Sequence, residues 1–488
     1  MWVITRILIF VSLVAILTSC SISLPPHAQV KHLRALPNME KSVKKNLKEQ
    51  EIFAQGDWPD KQWWLAYHSP ELNALIASAL ATNPSIQEMR SRIVTARQEA
   101  VVARSVLFPL VFFDATENRQ FLSKNGLYRA LNPNLPLSVN LVDLTLSFNY
   151  EFDFWGQNHN LFYEAIGKEK AQQAEEAQVE LIVTTALAQA FFAYQTNLIR
   201  KELYEQLVSV RQNINDLQNL MQRSALSSAL PTYLAAENLF EAKRLLSTIN
   251  EELAVDKHLI NVLAGRGPDC PLIIDKKLPA LPKKLHIPQT LSIDLIARRP
   301  DLMAQIWRAK ALAFRTGAAM AEYYPNVNIV GLVGLESTHW KKLFDRSSAT
   351  TALRPAIHLP IFTAGAIRAN IRGTKAEFDA AIFAYNNLLL RSTQEVLDVL
   401  AFAKSVYQQK QDQVELIVSA EKRLGLTQLR QQKGLDSQFS DYALREEVIE
   451  QKLINTTLLY NQYLASVKLT KVLGGGYCQT EIPLVRTA

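Results

Sequence analysis

Two stretches of this chain carry the same punctuation more than 200 residues apart. Residues 83–109 read NPSIQEMRSRIVTARQEAVVARSVLFP and residues 299–325 read RPDLMAQIWRAKALAFRTGAAMAEYYP. Pro84 and Pro109 bracket the first, Pro300 and Pro325 the second, and both pairs are separated by 25 positions. Each pair encloses a helical pattern, with a proline where a helix can start and another where it must stop. Downstream, Ala225-Leu226-Ser227-Ser228 matches Gly434-Leu435-Asp436-Ser437, Tyr233 falls opposite Tyr442, and Val262-Leu263-Ala264-Gly265 echoes Val472-Leu473-Gly474-Gly475. A period this long is not a solenoid repeat. It describes a duplicated half-protein, each half being short helix, hairpin, very long helix, tight turn and medium helix.

The very long helices set the scale. From about Ala165 to Arg223 there is no proline and one glycine, and Leu203, Leu207, Val210, Ile214, Leu217 and Met221 follow the 3,4 spacing of a coiled-coil seam. The second half repeats this from about Ala366 to Gln432. There Leu389, Val396, Leu400, Ala403, Tyr407, Val414, Ile417 and Leu424 form the seam, and Thr393, Lys410 and Glu421 interrupt it. At 1.5 Å per residue such helices are roughly 85 to 100 Å long, far more than a globular domain needs. A short helix and the medium helix from Pro231 to Ala264 together nearly equal the long one, so two stacked end to end can pair with it. The turns at Ser224–Leu230 and Lys433–Ser437 then mark a far tip. Heptads alone would equally suit a structural rod or an antiparallel coiled-coil adaptor.

The segment between short and long helices separates these readings. In Ser138–Phe154, Val142, Leu144, Leu146, Phe148, Tyr150, Phe152 and Phe154 fall on one face. Asp143, Thr145, Ser147, Asn149, Glu151 and Asp153 fall on the other. The alternation outlasts the 9 to 11 residues a membrane strand needs, so lipid on one side and a wet lumen on the other is the expected setting. In the second half Leu353, Ile357, Leu359 and Ile361 oppose Arg354 and His358, with a partner strand starting near Asn326. The first-half partner, near Leu110–Phe121, alternates poorly. Four strands leave unpaired edges in lipid, so copies must associate.

The N-terminus reads as an address: Arg6, an apolar run from Ile7 to Leu17 too short to span a bilayer, then Leu17-Thr18-Ser19-Cys20. This resembles a lipobox, which would make Cys20 the first residue of the mature chain, carrying diacylglyceryl and an N-acyl chain. An ordinary signal peptide with a chance cysteine is the alternative. Ser21, rather than Asp, favours outer-membrane sorting. No further stretch is expected to be long and apolar enough for a membrane helix. The formal charge of +7 partly reflects Lys41–Lys48, a solvated stretch that implies no nucleic-acid binding. Among the eight histidines no pair has the i, i+4 spacing of a zinc helix, and neither a phosphate loop nor a G-x-S-x-G elbow occurs. No metal, cofactor or enzymatic activity is therefore expected.

Taken in order, these features resemble the TolC/OprM-like (NodT-type) outer-membrane factor family, in its lipidated branch. The resemblance rests on the lipobox, on Trp58, Trp63 and Trp64 before Leu72-Asn73-Ala74-Leu75, on Asn83-Pro84, and on Asp153-Phe154-Trp155-Gly156. It continues through Leu359-Pro360-Ile361-Phe362-Thr363-Ala364-Gly365 with Arg368 and Asn370, to Leu473-Gly474-Gly475-Gly476-Tyr477. It implies a mainly α chain with a membrane β-barrel part. Three copies would form a twelve-stranded barrel in the outer membrane and a twelve-helix α-barrel through the periplasm. The family conducts passively, docked to a periplasmic adaptor (membrane fusion protein) and an inner-membrane transporter, so an exit duct for a tripartite, RND-type efflux system is expected. Type I protein secretion and an adaptor or scaffold lipoprotein are the alternatives.

The resemblance also distributes roles. Gly156 and Gly365 would mark the passage from barrel to helix. Ala225, Leu226, Ser227, Ser228, Gly434, Leu435, Asp436 and Ser437 would form the adaptor-contacting tip. Asp441, flanked by Ser440 and Tyr442, would line the gate, because some members close it with carboxylates, an ordinary solvated helix residue being the alternative, and Arg430 and Lys433 would pair with acidic groups across helices. Cys270 and Cys478 occupy near-equivalent positions and would sit too far apart around a ring to bridge, so free thiols are expected. The expected segmentation is 1–19 signal, 20–82 lipidated lead-in, 83–270 first repeat, 271–298 linker, 299–474 second repeat and 475–488 tail. Replacing Cys20 by Ser should abolish incorporation of labelled palmitate; retention of the label would place the lipid elsewhere or disprove the lipobox.

Overall fold

The computed structural model describes residues 52–282, 284–288 and 291–479. The signal segment, Cys20, Lys41–Lys48 and the end of the tail lie outside them. The chain opens with strand β1 (Phe53–Gly56), a 3-10 turn (Trp63–Tyr67) and helix α1 (Pro70–Thr82). The first half follows: α2 (Pro84–Ser105), β2 (Leu110–Phe121), a short α3 (Leu127–Leu131), β3 (Ser138–Phe152), α4 (Gln157–Arg223) and α5 (Ala229–Leu263). After β4 (Leu285–Pro288) and α6 (Leu291–Arg298) comes the second: α7 (Pro300–Ala321), β5 (Asn326–Ser337), β6 (Ala349–His358), α8 (Ala366–Gln432) and α9 (Gln438–Val472). The duplication is therefore structural. The two long helices both have 67 residues and the two medium ones 35, so α4 and α8 each extend about 100 Å.

Short and medium helices stack end to end, and the joints are made of hydrogen bonds. Asn83 caps α2, accepting from Ser85 N–H at 3.0 Å, while its Nδ2 donates to the Leu263 carbonyl that ends α5 at 2.9 Å. Ser78 and Thr82 donate to the Ala264 carbonyl at 3.0 and 3.2 Å. The orphan carbonyls at the end of one rod segment are thus satisfied by the start of the next. In the second half Gly474 (φ +88°) brings the end of α9 against α6 so closely that an added Cβ would lie 1.8 Å from the Arg298 carbonyl oxygen. Gly265 and Gly474 occupy the same left-handed position after their helices, with Arg266 N–H bonded to Asn261 O and Gly475 N–H to Thr470 O. The sequence echo at this point is accordingly shifted by one: Gly265 corresponds to Gly474, not Gly475.

The core sits around these joints. Trp63, Trp64, Tyr67, Leu72, Ile76, Phe191, Phe192 and Tyr463 form one buried cluster, with Phe192 stacked on Tyr463 at 4.4 Å and Tyr67 Oη donating to Ser466 at 2.8 Å. This cluster corrects one expectation. Helix α4 does contain a stretch long and apolar enough to cross a membrane, but half of it is buried inside the protein. Its Val183, Leu187, Phe191 and Phe192 are apolar because they fill this core. The α8 seam also differs in part: Leu389, Val396, Leu400 and Ala403 are buried, whereas Val414 is exposed and Gln413 takes its place. Gln413 bonds the Gln451 side chain at 2.8 Å and Lys410 reaches Asn455, so two polar layers fix the register of α8 on α9.

The four long strands form one antiparallel sheet in the order β2-β3-β5-β6. Its register carries Val111, Phe113 and Ala115 of β2 onto the face of Phe148, Leu146 and Leu144. Val333 and Leu335 of β5 join that face, as do Leu353, Pro355 and Ile357 of β6. On β3 that side is apolar from Val142 to Phe152, eleven residues, the length that crosses the hydrocarbon core, with Thr351 of β6 within it and Glu117 and Ser337 at its Val142 end. Gly331 sits opposite Phe148, and an added Cβ would lie 2.0 Å from that ring. Strand β6 stops at His358, so Leu359 and Ile361 are not on it; Pro360 follows at once and cannot donate to a ladder. Gly474→Ala should lower stability by about 2 kcal/mol or more, from left-handed strain plus overpacking. Thermal unfolding followed by helical circular dichroism checks this, and an unchanged midpoint would mean the α6–α9 joint tolerates movement.

Candidate functional site

The sheet gives the wall its second, polar face. Thr116 donates to Asp143 at 3.4 Å and Ser147 to Asp114 at 3.2 Å, while Arg354 and His358 project on the same side of β6. Polar side chains bonded to one another across strands, backed by a largely apolar face, suit a wall with water on one side and hydrocarbon on the other.

Two passages lead from wall to helix. In the first, the Asp153 carboxylate accepts from the N–H groups of Asn158 and His159 at 3.1 and 2.8 Å, and from His159 Nδ1 at 2.6 Å. This satisfies the start of α4, where Gly156 (φ +72°) has no side chain to cap with. Trp155 stacks on Tyr324 at 4.5 Å and donates to the Pro325 carbonyl at 2.9 Å, tying the passage to the other half. In the second passage Gly365 (φ +86°) starts α8 and Asn370 donates to Glu322 at 3.0 Å. Ile361 and Phe362 there are 89% and 88% exposed. Gly156 and Gly365 thus hold equivalent places, and both turn the chain where only a left-handed residue fits. The Asp153 cap escaped notice in the sequence, although Asp-x-x-Gly before a helix is the kind of pattern that signals it.

At the far end the two turns are built alike. Leu226 N–H bonds Met221 O at 2.9 Å and Ala225 N–H bonds Gln222 O at 3.0 Å; Leu435 and Gly434 make the same pair with Arg430 and Gln431. Both are Schellman endings, but the left-handed residue is Gly434 (φ +73°) in one and Ala225 (φ +58°) in the other. Leu226 and Leu435 are both exposed, as is Leu230. Ser437 caps α9, accepting from Ser440 N–H at 3.3 Å. Arg430 binds Asp436 through two hydrogen bonds of 2.7 and 3.0 Å, so it pairs within its own turn rather than across helices. The guanidinium holds the Asp436 carboxyl below the usual carboxylate range.

Asp441 lies one turn into α9 and is only 3% exposed within the chain. One carboxylate oxygen accepts from Arg445 at 2.8 Å and the other is buried without a partner. Ser440 is exposed and Tyr442 half-buried, its hydroxyl accepting from Gln438 at 2.9 Å. Arg211, buried on α4, carries no motif or spacing that marks it in the sequence. It donates to Glu446 of α9 at 2.8 Å, and to Asn238 O and Glu241 of α5 at 2.9 and 3.1 Å, pinning three helices of both halves together. Cys270 and Cys478 are free thiols, and no group of residues suited to a metal occurs among the described residues.

A sheet with lipid-facing and wet faces, continued by helical rods ending in paired turns, describes a duct wall. The family model for outer membrane efflux proteins matches residues 75–258 and 291–475. This chain belongs to that family. It is 28% identical over 433 residues to the multidrug resistance outer membrane protein MdtQ of Escherichia coli O6:H1, covering 86% of this chain and 89% of that one. It is 27% identical over 457 residues to MdtP of Shigella flexneri, covering 91% and 93%. Its fold matches the outer membrane protein VceC of Vibrio cholerae with a TM-score of 0.77 at 25% identity, over 86% of this chain and all of that one. The CmeC outer membrane channel of Campylobacter jejuni matches at 0.81 and 18%, over 88% and 90%. The chain is an outer-membrane channel protein of an efflux system.

The unlike residues of the two tip turns make a measurable difference. Ala225→Gly should stabilise its turn by about 1 kcal/mol and Gly434→Ala should weaken the other by about as much. Hydrogen exchange at the amides of residues 221–228 and 430–437 reads this directly, and equal protection in all three proteins would show that the left-handed strain is relieved elsewhere.

Proposed function

We propose that three copies of this efflux protein close into one passive exit duct of a tripartite multidrug pump. The observation that carries this reading is the pair of free edges on β2 and β6, which pair with no other strand among the described residues. An apolar sheet face requires lipid, and lipid forbids an open edge, so β6 of one copy pairs with β2 of the next. Four strands per copy give a barrel of about twelve after three additions, within the usual range for such barrels. Each copy also presents four rods, α2 stacked on α5, α4, α7 stacked on α9, and α8, so the same three copies give a twelve-helix tube.

The protein performs no chemistry in this reading. Its polar face conducts, an inner-membrane transporter supplies the energy, and a periplasmic adaptor engages Leu226 to Ser228 and Leu435 to Ser437 at the tip. Asp441 with Arg445 borders the gate, and lipid on Cys20 anchors each copy. The multidrug range is carried over from the names of MdtQ and MdtP, which favour efflux over protein secretion. The test is the mass of the mature protein in mild detergent together with its conductance in planar bilayers. A trimer with a small, ion-selective conductance is the expected result; a monomer that never conducts would overturn the duct.

A further inference from the structure

The loop between β5 and β6 does not project straight out of the sheet. Trp340 donates through Nε1 to Glu117 at 3.2 Å, and Glu117 pairs in register with Val142. Both belong to the apolar, membrane-facing side, so the loop bends over that side. Val142 is 1% exposed and Leu343, in the loop, is fully buried. The loop is also a fixed object. Ser348 donates to the Lys342 carbonyl at 2.7 Å, Asp345 N–H to the same carbonyl at 2.9 Å, and Ser337 to the His339 carbonyl at 3.0 Å.

What the loop presents is basic and aromatic. Lys341, Lys342 and Arg346 are exposed, and no carboxylate lies within ion-pair distance of any of them among the described residues. Arg119 stands on the same face of β2, opposite Asn140. Trp340 and Phe344 are exposed beside them. The opposing charges are Asp345 and Glu117, and Glu117 already accepts from Trp340 and Asn140. The position of this patch follows from the register. It lies just beyond Val142, the last residue of the apolar band, at the strand ends away from the helices. At about 3.3 Å per strand residue, that places it within the head-group layer, roughly 5 to 8 Å deep on each side of the hydrocarbon.

We propose that this loop is a docking surface for phosphate-bearing lipid head groups of the outer leaflet. Tryptophan suits the border itself, apolar ring inward and N–H toward polar groups. Unpaired cations on a fixed backbone, beside acyl chains held by Phe113, Leu144 and Leu335, complement a ligand that joins phosphate to hydrocarbon. Free phosphate would meet only the cations. The inference rests on the outward orientation of the apolar face and is independent of the number of copies.

The full chain, purified in mild detergent, is titrated with bisphosphorylated lipid A and with its dephosphorylated form, and bound lipid is read by native mass spectrometry. The phosphorylated lipid should bind at least tenfold more tightly, and added salt should weaken it. The triple variant K341Q/K342Q/R346Q should lose the preference, each single variant should lose part of it, and K404Q, on α8, should keep it. Millimolar inorganic phosphate should not displace the lipid. Absence of a preference in the parent chain, its survival in the triple variant, or displacement by inorganic phosphate would overturn the proposal. Conductance in uncharged bilayers should be the same for parent and triple variant, so a defect in the duct is distinguishable from a defect in lipid docking.

Discussion

Hydrocarbon accepts no hydrogen bonds, and the edge of a sheet consists of little else. That conflict governs the rest of the molecule, because every strand of the sheet is joined directly to one helical rod: β2 leaves α2, β3 enters α4, β5 leaves α7 and β6 enters α8. A solution to the edge problem is therefore also a solution for the helices. In the proposed assembly the two layers do not match in circumference, since neighbouring strands lie about 4.8 Å apart before tilt and packed helices about 8 to 10 Å. The passages must absorb that mismatch within a few residues. Left-handed glycines at Gly156 and Gly365 supply the abrupt change of direction, and the Asp153 carboxylate supplies the hydrogen bonds that a glycine start cannot.

Length imposes the second condition. A rod of 67 residues can be flanked along its whole length by a single helix or by two helices joined without a gap. Within the chain both long helices use the second arrangement, and the joint is where its composition becomes specific: Asn83, Thr82 and Ser78 against the end of α5, three consecutive glycines at the end of α9. Tryptophans and tyrosines then gather around the joints, where four helices leave room for large rings. Farther from the membrane polar layers enter the apolar packing, with Arg211 holding three helices beside Leu207, Val210 and Ile449, and Lys410 and Gln413 interrupting the α8 seam. Such layers contribute less stability than leucine would and more definition of register.

Much of this was legible in the residues. Paired prolines gave the halves, heptads the long helices, and alternation in β3 the membrane face. The rest depended on partners far away in sequence. β2 alternates poorly because its outer end is polar on both faces, and only its register against β3 sorts Glu117 and Arg119 to the membrane side. The α8 seam drifts because a helix turns 3.6 residues while the heptad assumes 3.5, so Val414 and Gln413 exchange places. Asp441 is buried within the chain, which the helical pattern around it does not announce. Arg430 finds a carboxylate inside its own turn, a contact set by loop geometry that spacing alone does not specify.

The two passages, alike in backbone, differ in what covers them. The first is bolted by Trp155 to the opposite half of the chain, whereas Ile361 and Phe362 in the second stand nearly bare. A chain crossing the periplasm with two adjacent large apolar residues uncovered is a substrate for holding chaperones and a seed for aggregation. Contact with lipid or a neighbouring copy would cover Ile361 and Phe362 together with the bare Phe112 and Phe113 of the sheet, so burial of the second passage is coupled to burial of the sheet itself.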